Sequence, residues 1–309
     1  MGFLRPPRSA SVFFIIDGPK IEAQSVLLAA TLRHHNGPDL VIDAYTPASN
    51  APNILRNTRR ILRTLGVSIH TIDTDDFWTT PYPIGNKILA ACEPRDAEIS
   101  FFLDSDIVAT APMEFSELAS PGAVSAVVSD YAARLDDPEA WPRLYRHFGL
   151  EPPEERVQLL RGRRLTFFPY VNSGVVGFET DGEFASTWLD VALEIDKLTA
   201  QDAEFPRINI DQIALPIAAR KLGMTLRLLP SEYNCNIMRR DAPETLRPRL
   251  AHYHRFQDLA ASRYGKASLE ILNASVPPLL LDRYLKRFRD DLAPLHTLAR
   301  QAIGSDPVA

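Results

Sequence analysis

Phe101-Phe102-Leu103 runs directly into Asp104-Ser105-Asp106. An apolar strand of this kind carries two carboxylates, at i and i+2, to its own end. Extended backbone points both to one side, about 6.6 Å apart along the chain at ~3.3 Å per residue. Two carboxylates ~5 Å apart repel by about 3 kcal/mol at an effective dielectric of 20. Folding gains nothing from collecting that repulsion beside a core, whereas a divalent cation turns it into attraction. Hard oxygen ligands suit Mg²⁺ or Mn²⁺, whose shells water and phosphate oxygens complete. Asp73-Thr74-Asp75 repeats the spacing and is read as a turn or capping segment.

Four further stretches offer chemistry around that pair. Tyr170-Val171-Asn172-Ser173-Gly174-Val175-Val176 sets small polar groups and a glycine inside an apolar run. Gly174 there allows a ligand or another backbone to come close, in a strand or a bulge. Ile210-Asp211-Gln212-Ile213 puts an acid and an amide at a helix start, where plain capping competes with a binding role. Lys87 stands early on the helix that leads to Asp104, as a cation of the site or a solvated one. Ala251-His252-Tyr253-His254-Arg255 brings imidazoles that suit a manganese-type site beside carboxylates. His34-His35 is read instead as an ordinary helix end before Gly37.

The elements that must position these groups follow from apolar periodicity. Val12–Ile16, Leu40–Ile42, Ser68–Asp73, Ile99–Leu103, Val124–Val128, Val171–Phe178 and Thr225–Leu229 read as strands. Helical patterns cover Ile21–Leu32, a stretch opened by Asn50 and Pro52 and ended by Gly66, Asn86–Glu93, Phe184–Leu198 and a segment from Asn209. Strand–helix alternation with short links predicts an α/β fold with a mostly parallel sheet flanked by helices. Ligands of such sheets lie beyond the carboxyl ends of the strands, where Asp17 and Asp104 fall. The expected organisation is a flexible N-terminus over 1–10, a catalytic domain over 11–275 with an insertion or flap at 131–166, and a C-terminal helical extension over 276–309. In that extension Leu281, Tyr284, Leu285 and Phe288 form an apolar stripe, with Arg283, Lys286, Arg287 and Arg289 nearby. The stripe suits packing on the catalytic domain, a homodimer, or peripheral contact with an anionic membrane.

Composition narrows the classes. The 309 residues are 45% apolar and 24% charged, which excludes disorder, collagen-like repeats and coiled coil as whole-chain descriptions. A net charge of −5 speaks against nucleic acid as a partner. Two distant cysteines, Cys92 and Cys235, exclude a disulfide framework and a cysteine-pair zinc site. They fit a reducing compartment. The first eight residues lack the apolar core of a secretory signal, and Pro6 stands where a myristoylation motif needs Ser or Thr. A cytoplasmic protein is expected, with peripheral contact at the inner membrane face left open.

From about Val12 to Arg255, the order of these stretches resembles a GT-A glycosyltransferase, nearest to the glycogenin-like and bacterial lipooligosaccharide galactosyltransferase group. The resemblance implies a GT-A fold and transfer of a sugar from a nucleotide-sugar donor, with retention at the anomeric carbon; inversion would instead need a carboxylate base, for which the flap offers Asp136, Asp137, Glu154 and Glu155. It implies Mn²⁺ or Mg²⁺ held by Asp104, Asp106 and His252. It places Asp17 and Lys87 at the donor, with Ser105, Asn172, Ser173 and Gly174 around it. Asp211 and Gln212 would lie under the donor sugar in the catalytic position, and His254 would be left to a second-shell or phosphate role. The group's Lys-Pro-Trp, which grips the diphosphate, is missing; Arg255 or Lys266 would replace that cation. The acceptor would be a glycan, a lipid-linked molecule or a small molecule. Haloacid-dehalogenase-type phosphatases also end a strand with Asp-x-Asp, but on the strand that opens the domain. A nucleotidyltransferase would need a glycine-rich basic loop, of which Asp17-Gly18-Pro19-Lys20 is a poor version. A non-catalytic nucleotide-sugar-binding protein would have no reason to keep Asp104, Asp106 and His252.

Overall fold

The uninterrupted apolar runs become the strands of one sheet. A computed structural model of the chain describes residues 9–133, 137, 139–160, 165–201, 209–238 and 246–295. Most of the N-terminus expected to be flexible, four residues each at 161–164 and around 134–138 of the expected flap, and 296–309 of the extension lie outside the described residues. In chain order, β1 (Ala10–Ile15) is followed by α1 (Gly18–Asn36), β2 (Val41–Pro47), α2 (Arg56–Thr64) and β3 (Val67–Ile72). Next come α3 (Asn86–Ala91), β4 (Ile99–Leu103), β5 (Ile107–Ala109), α4 (Phe115–Leu118), β6 (Ala123–Val128) and α5 (Ala140–His147). Then follow β7 (Val157–Gln158), β8 (Thr166–Phe167), β9 (Val171–Glu179), α6 (Phe184–Gln201), α7 (Ile210–Lys221) and β10 (Thr225–Leu229). The chain closes with β11 (Cys235–Asn236), β12 (Leu250–His252), α8 (Phe256–Ala261), α9 (Arg263–Ser275) and α10 (Pro278–Arg287).

The central sheet has seven strands in the order β10-β6-β9-β4-β1-β2-β3, flanked by helices. Its pairings β2–β3 and β10–β6 are parallel, and β6–β9 is antiparallel. The mixed, mostly parallel α/β architecture expected from the sequence is the observed one. Two smaller sheets stand apart from it: β11-β12-β5, and the hairpin β7-β8.

The chain divides into two compact units. One lies within the described residues up to Ser11, Thr74–Phe102 and Phe115–Pro230, and is called here the α7 unit. Its core holds Trp188, Phe178, Phe184 and Phe101, all removed from solvent. Gly177 of β9 lies against the Phe101 ring, where an added Cβ would come within 2.3 Å of ring carbons. α6 packs on α7, and α7 on β9.

The other unit lies within Val12–Asp73, Leu103–Glu114 and the described residues from Ser231, and is called the α1 unit. α1 packs against α9 and β5. It ends where Gly37 takes φ 76, with His34 and His35 in its last turn. The helix expected from Asn50 starts later. Ala51–Asn53 is a single 3-10 turn, Leu55 is extended, and α2 begins at Arg56. The Leu55 N–H donates to buried Glu22 at 3.2 Å, and Thr58 donates to the same oxygen at 2.8 Å, so the chain bends to satisfy that carboxylate. The apolar stripe of α10 is spent inside this unit. Leu281, Tyr284 and Phe288 are buried, and the Tyr284 hydroxyl donates to the Ala23 carbonyl at 2.7 Å. Among the described residues no helix is long and apolar enough to cross a membrane.

Candidate functional site

The three-stranded sheet of the α1 unit gathers one group of candidates. β5 pairs antiparallel with β12 so that Ile107 faces His252, and the Tyr253 N–H donates to the Asp106 carbonyl at 3.0 Å. That register puts the residue before β5 beside the residue that ends β12. Asp106 Oδ1 lies 3.0 Å from His252 Nε2, and Asp106 Oδ2 lies 3.7 Å from His254 Nδ1. Ligand atoms of Asp106, His252 and His254 all fall within 4.8 Å of one another. Burial alone would push the Asp106 carboxyl up, but His252 and His254 outweigh it and hold it well below the usual carboxylate range.

β11 runs parallel to β12 on the other side, with Asn236 opposite His252. It is preceded by Asn234, whose Oδ1 lies 2.9 Å from His252 Nδ1. An amide oxygen only accepts, so Nδ1 carries the proton and Nε2 turns its second position to Asp106. With Nε2 bare, a lone pair faces a carboxylate at 3.0 Å. A proton or a cation between them removes that conflict. His254 is held in the left-handed region at φ 57, inside a tight turn closed by Arg255 N–H to the Tyr253 carbonyl at 2.5 Å. Side chains other than glycine avoid this conformation, and such strain gathers at functional sites.

The Asp106–His252 pair passes a simple test for a small divalent ion. An octahedral shell with bonds of ~2.1 Å sets neighbouring ligands about 3.0 Å apart and opposite ones about 4.2 Å apart. The 3.0 Å between Asp106 Oδ1 and His252 Nε2 matches neighbouring ligands, and His254 Nδ1 stands 3.7 Å from the other Asp106 oxygen. The oriented imidazole is the second-sphere arrangement that metal-binding histidines use. Asp106 and His252 were both expected in such a centre. Asp104 follows β4, two residues before Asp106, and stands outside the trio.

A second group forms in the α7 unit. Between Ala126 and Val127 the pairing of β6 with β9 jumps from Val176 to Asn172, which leaves three residues of β9 as a bulge. The bulge re-aims Ser173, as bulges do next to active sites. Its hydroxyl donates to Asp211 Oδ2 in a short hydrogen bond. Asn172 Oδ1 accepts from the Gly174 N–H at 2.7 Å and braces the same bulge. Asn209, left-handed at φ 55, caps α7 and delivers Asp211 in its first turn. Tyr82 donates to Asp211 Oδ1 at 2.7 Å, and Trp188 donates to the Asp211 carbonyl at 2.9 Å. Burial and Asp211 push the Tyr82 phenol far above its usual value, so it stays a donor.

Lys87 completes this group from α3. Its ammonium lies 3.4 Å from Asp211 Oδ2, 3.3 Å from the Ser173 hydroxyl and 4.9 Å from the centre of the Phe102 ring. Side-chain exposure is 7% for Lys87 and 2% for Asp211, so this is a buried pair and not a solvated lysine. Every Asp211 oxygen is engaged. The group is built to hold a charge still.

The remaining candidates are placed as follows. Asp17 follows β1 and accepts from Asn50 at 2.9 Å; burial holds its carboxyl above the usual 3.8, partly offset by Asn50. Ser105 donates to the Ile15 carbonyl at 2.5 Å, which ties the Asp104–Asp106 turn to the end of β1. Gln212 follows Asp211 in α7 and is half-buried. The Arg255 guanidinium grips Asp258 at 2.7 and 3.1 Å, and Lys266 lies 3.7 Å from Glu270. In the expected flap, Asp137 pairs with Arg143 at 2.7 Å, Glu154 and Glu155 are exposed, and Asp136 lies outside the described residues. Tyr82 and Asn234 were not singled out in the sequence. Nothing in their neighbourhoods marks them, because their partners lie 129 and 18 residues away.

Residues 12–223 match the model of the Rhodobacterales glycosyltransferase domain. Solved structures share the fold at low identity. The galactosyltransferase LgtC, in complex with donor and acceptor sugar analogs, is 12% identical over 88% of this chain and 99% of its own, with a TM-score of 0.56. The same protein has also been solved as an active-site mutant carrying glutamate in place of glutamine. The bifunctional glycosyltransferase WbbM is 14% identical over 92% of this chain and 53% of its own, with a TM-score of 0.55. GlyE of Streptococcus pneumoniae TIGR4 is 15% identical over 90% of this chain and 64% of its own, with a TM-score of 0.52. No curated protein matches the chain in sequence.

Proposed function

We propose, on the premise that the chain belongs to the Rhodobacterales glycosyltransferase domain family, that it transfers a sugar from a nucleotide-sugar donor with a divalent cation and with retention at the anomeric carbon. The acceptor is a hydroxyl of a glycan, a lipid-linked molecule or a small molecule. The observation that carries the reading is the meeting of Asp106, His252 and His254, with Asn234 fixing the His252 tautomer.

Asp104, Asp106 and His252 would hold Mn²⁺ or Mg²⁺. When bound, such an ion neutralises charge on a leaving diphosphate. Asp17 offers an acceptor to the nucleotide from the end of β1. Asn172, Ser173 and Gly174 shape the bulge against which the donor lies. Lys87, held by Asp211, sets a fixed positive charge there. Gln212 would orient the sugar, and LgtC, similar in fold, has a glutamine in its active site. Arg255, its charge shared with Asp258, or Lys266 would substitute for the absent Lys-Pro-Trp.

In the retaining reaction the bond from the anomeric carbon to phosphate breaks and the bond to the acceptor oxygen forms on the same face. The acceptor proton passes to the leaving phosphate. Two features favour this course. Both Asp211 carboxylate oxygens are engaged, by Tyr82, Ser173 and Lys87, and Asp137 is paired with Arg143. The test is a donor panel. The protein, stripped with EDTA and resupplied with Mn²⁺ or Mg²⁺, is offered several sugar nucleotides while nucleoside diphosphate release is followed. Release should need the added ion and be lost in Asp106→Ala. Full turnover of Asp106→Ala in EDTA would end the reading.

A further inference from the structure

We propose that His254 is itself a cation ligand, so that the centre sets two imidazoles beside its carboxylate and favours a transition-metal ion such as Mn²⁺ over Mg²⁺. This rests on the cation-dependent reading above and goes beyond it, since His254 would otherwise serve only as a neighbour or a phosphate contact.

Three independent observations support it. First, His254 Nδ1 faces the second oxygen of Asp106 at 3.7 Å, while His252 Nε2 faces the first at 3.0 Å. One carboxylate is thereby bracketed by two ring nitrogens, each a ligand atom. Second, the two rings lie one against the other, with centres 3.9 Å apart. Third, the backbone is bent to achieve this. His254 takes φ 57 in a turn closed at 2.5 Å, and in that turn its ring lies against the ring of His252. With 42% of its side chain exposed, His254 is not held in that pose by core packing.

Ligand chemistry sets the consequence. Magnesium prefers oxygen and keeps its water, while imidazole raises affinity for the first-row transition ions. A second imidazole therefore separates two ions that a carboxylate pair alone would treat alike. Losing it should weaken Mn²⁺ binding by at least the ~10–100-fold that loss of even an outer-sphere partner costs. Mg²⁺ affinity should change far less.

The experiment uses the full chain, stripped of metal and loaded with Mn²⁺. Pulsed electron paramagnetic resonance counts the imidazole nitrogens coupled to the ion, and equilibrium dialysis gives affinities for Mn²⁺ and Mg²⁺. His254→Gly removes the ring at a position where glycine accepts the positive φ, and His254→Asn offers an oxygen donor with the same tolerance. Two imidazoles are expected in the unaltered protein and one in His254→Gly. The preference for Mn²⁺ over Mg²⁺ should shrink in both variants. A single imidazole in the unaltered protein, lost with His252→Ala, overturns this inference and leaves the cation-dependent reading standing. An unchanged ion preference in His254→Gly overturns it as well. Absence of any Mn²⁺ binding removes both.

Discussion

Lys87→Met puts a number on the buried charge group. The substitution keeps most of the side-chain volume and removes the ammonium from beside Asp211 Oδ2. The carboxylate, 2% exposed, then keeps only the neutral donors Tyr82 and Ser173. Removing one partner of a buried pair costs about 3–5 kcal/mol, since the other charge is left uncompensated. Two surviving hydrogen bonds place the expected loss at the lower end, about 3 kcal/mol. At roughly 2 °C per kcal/mol for a chain of this size, the melting temperature should fall by about 6 °C. Asp211→Asn in the same protein removes the stranded charge. The double variant should therefore lose less than the two single variants together, with a coupling of about 1–3 kcal/mol. Thermal melting of the four proteins, with urea unfolding alongside, closes the cycle. Nucleoside diphosphate release should be lost in both single variants. A Lys87→Met protein that melts with the unaltered chain, or a cycle with no coupling, would show that the pair carries no energy and that the Lys87 charge is not fixed by Asp211.

Gly85→Ala should act through the same group, because its Cβ would fall 2.2 Å from the Trp78 ring and 2.8 Å from Tyr82. Overpacking of about 1–3 kcal/mol is expected, with a larger fractional loss of turnover than of stability as Tyr82 is pushed off Asp211; melting and initial rates separate the two. Glu22→Gln should stabilise the protein at pH 7 and not at pH 4. Burial holds the Glu22 carboxyl above its usual 4.5, so its ionisation costs the native state stability above that raised value and costs nothing below 4.5; urea unfolding at the two pH values reads the difference. Truncation before Pro277 should lower the melting temperature or yield insoluble protein, because it strips Leu281, Tyr284 and Phe288 from the α1 unit. A truncated chain with the same melting curve would return the α10 stripe to the surface.

The long elements were legible because each is a run of one period. All seven strands of the central sheet and helices α1, α3, α6, α7 and α10 stand within a few residues of where the apolar pattern puts them. The start of α2 was misplaced because Asn50 and Pro52 carry helix-start chemistry, while a buried glutamate on α1 draws Leu55 into an extended turn. β5, β11 and β12, with three, two and three residues, are too short to show any period, yet they assemble the metal-type trio. Asp106 and His252 were visible as residue types suited to one ion. Asn234 was not, since an orienting amide has no sequence signature apart from its partner. The same holds for Tyr82 and for the burial of Lys87, which depends on a bulge in β9 that only the strand pairing reveals.

The pairing of Leu250, Ala251 and His252 with Ala109, Val108 and Ile107 has an evolutionary consequence. Substitution and length change should leave different marks there. Val108 and Ala251 are buried and can drift among small apolar residues without moving the ends of their strands. A single inserted or deleted residue between Asp106 and Ala109, or between Leu250 and His252, would flip the side chains beyond it to the opposite face. It would part Asp106 from both histidines at one stroke. Descendants of this chain should therefore keep these two intervals at fixed length long after their side chains have diverged, and gain or lose residues in the connections outside them.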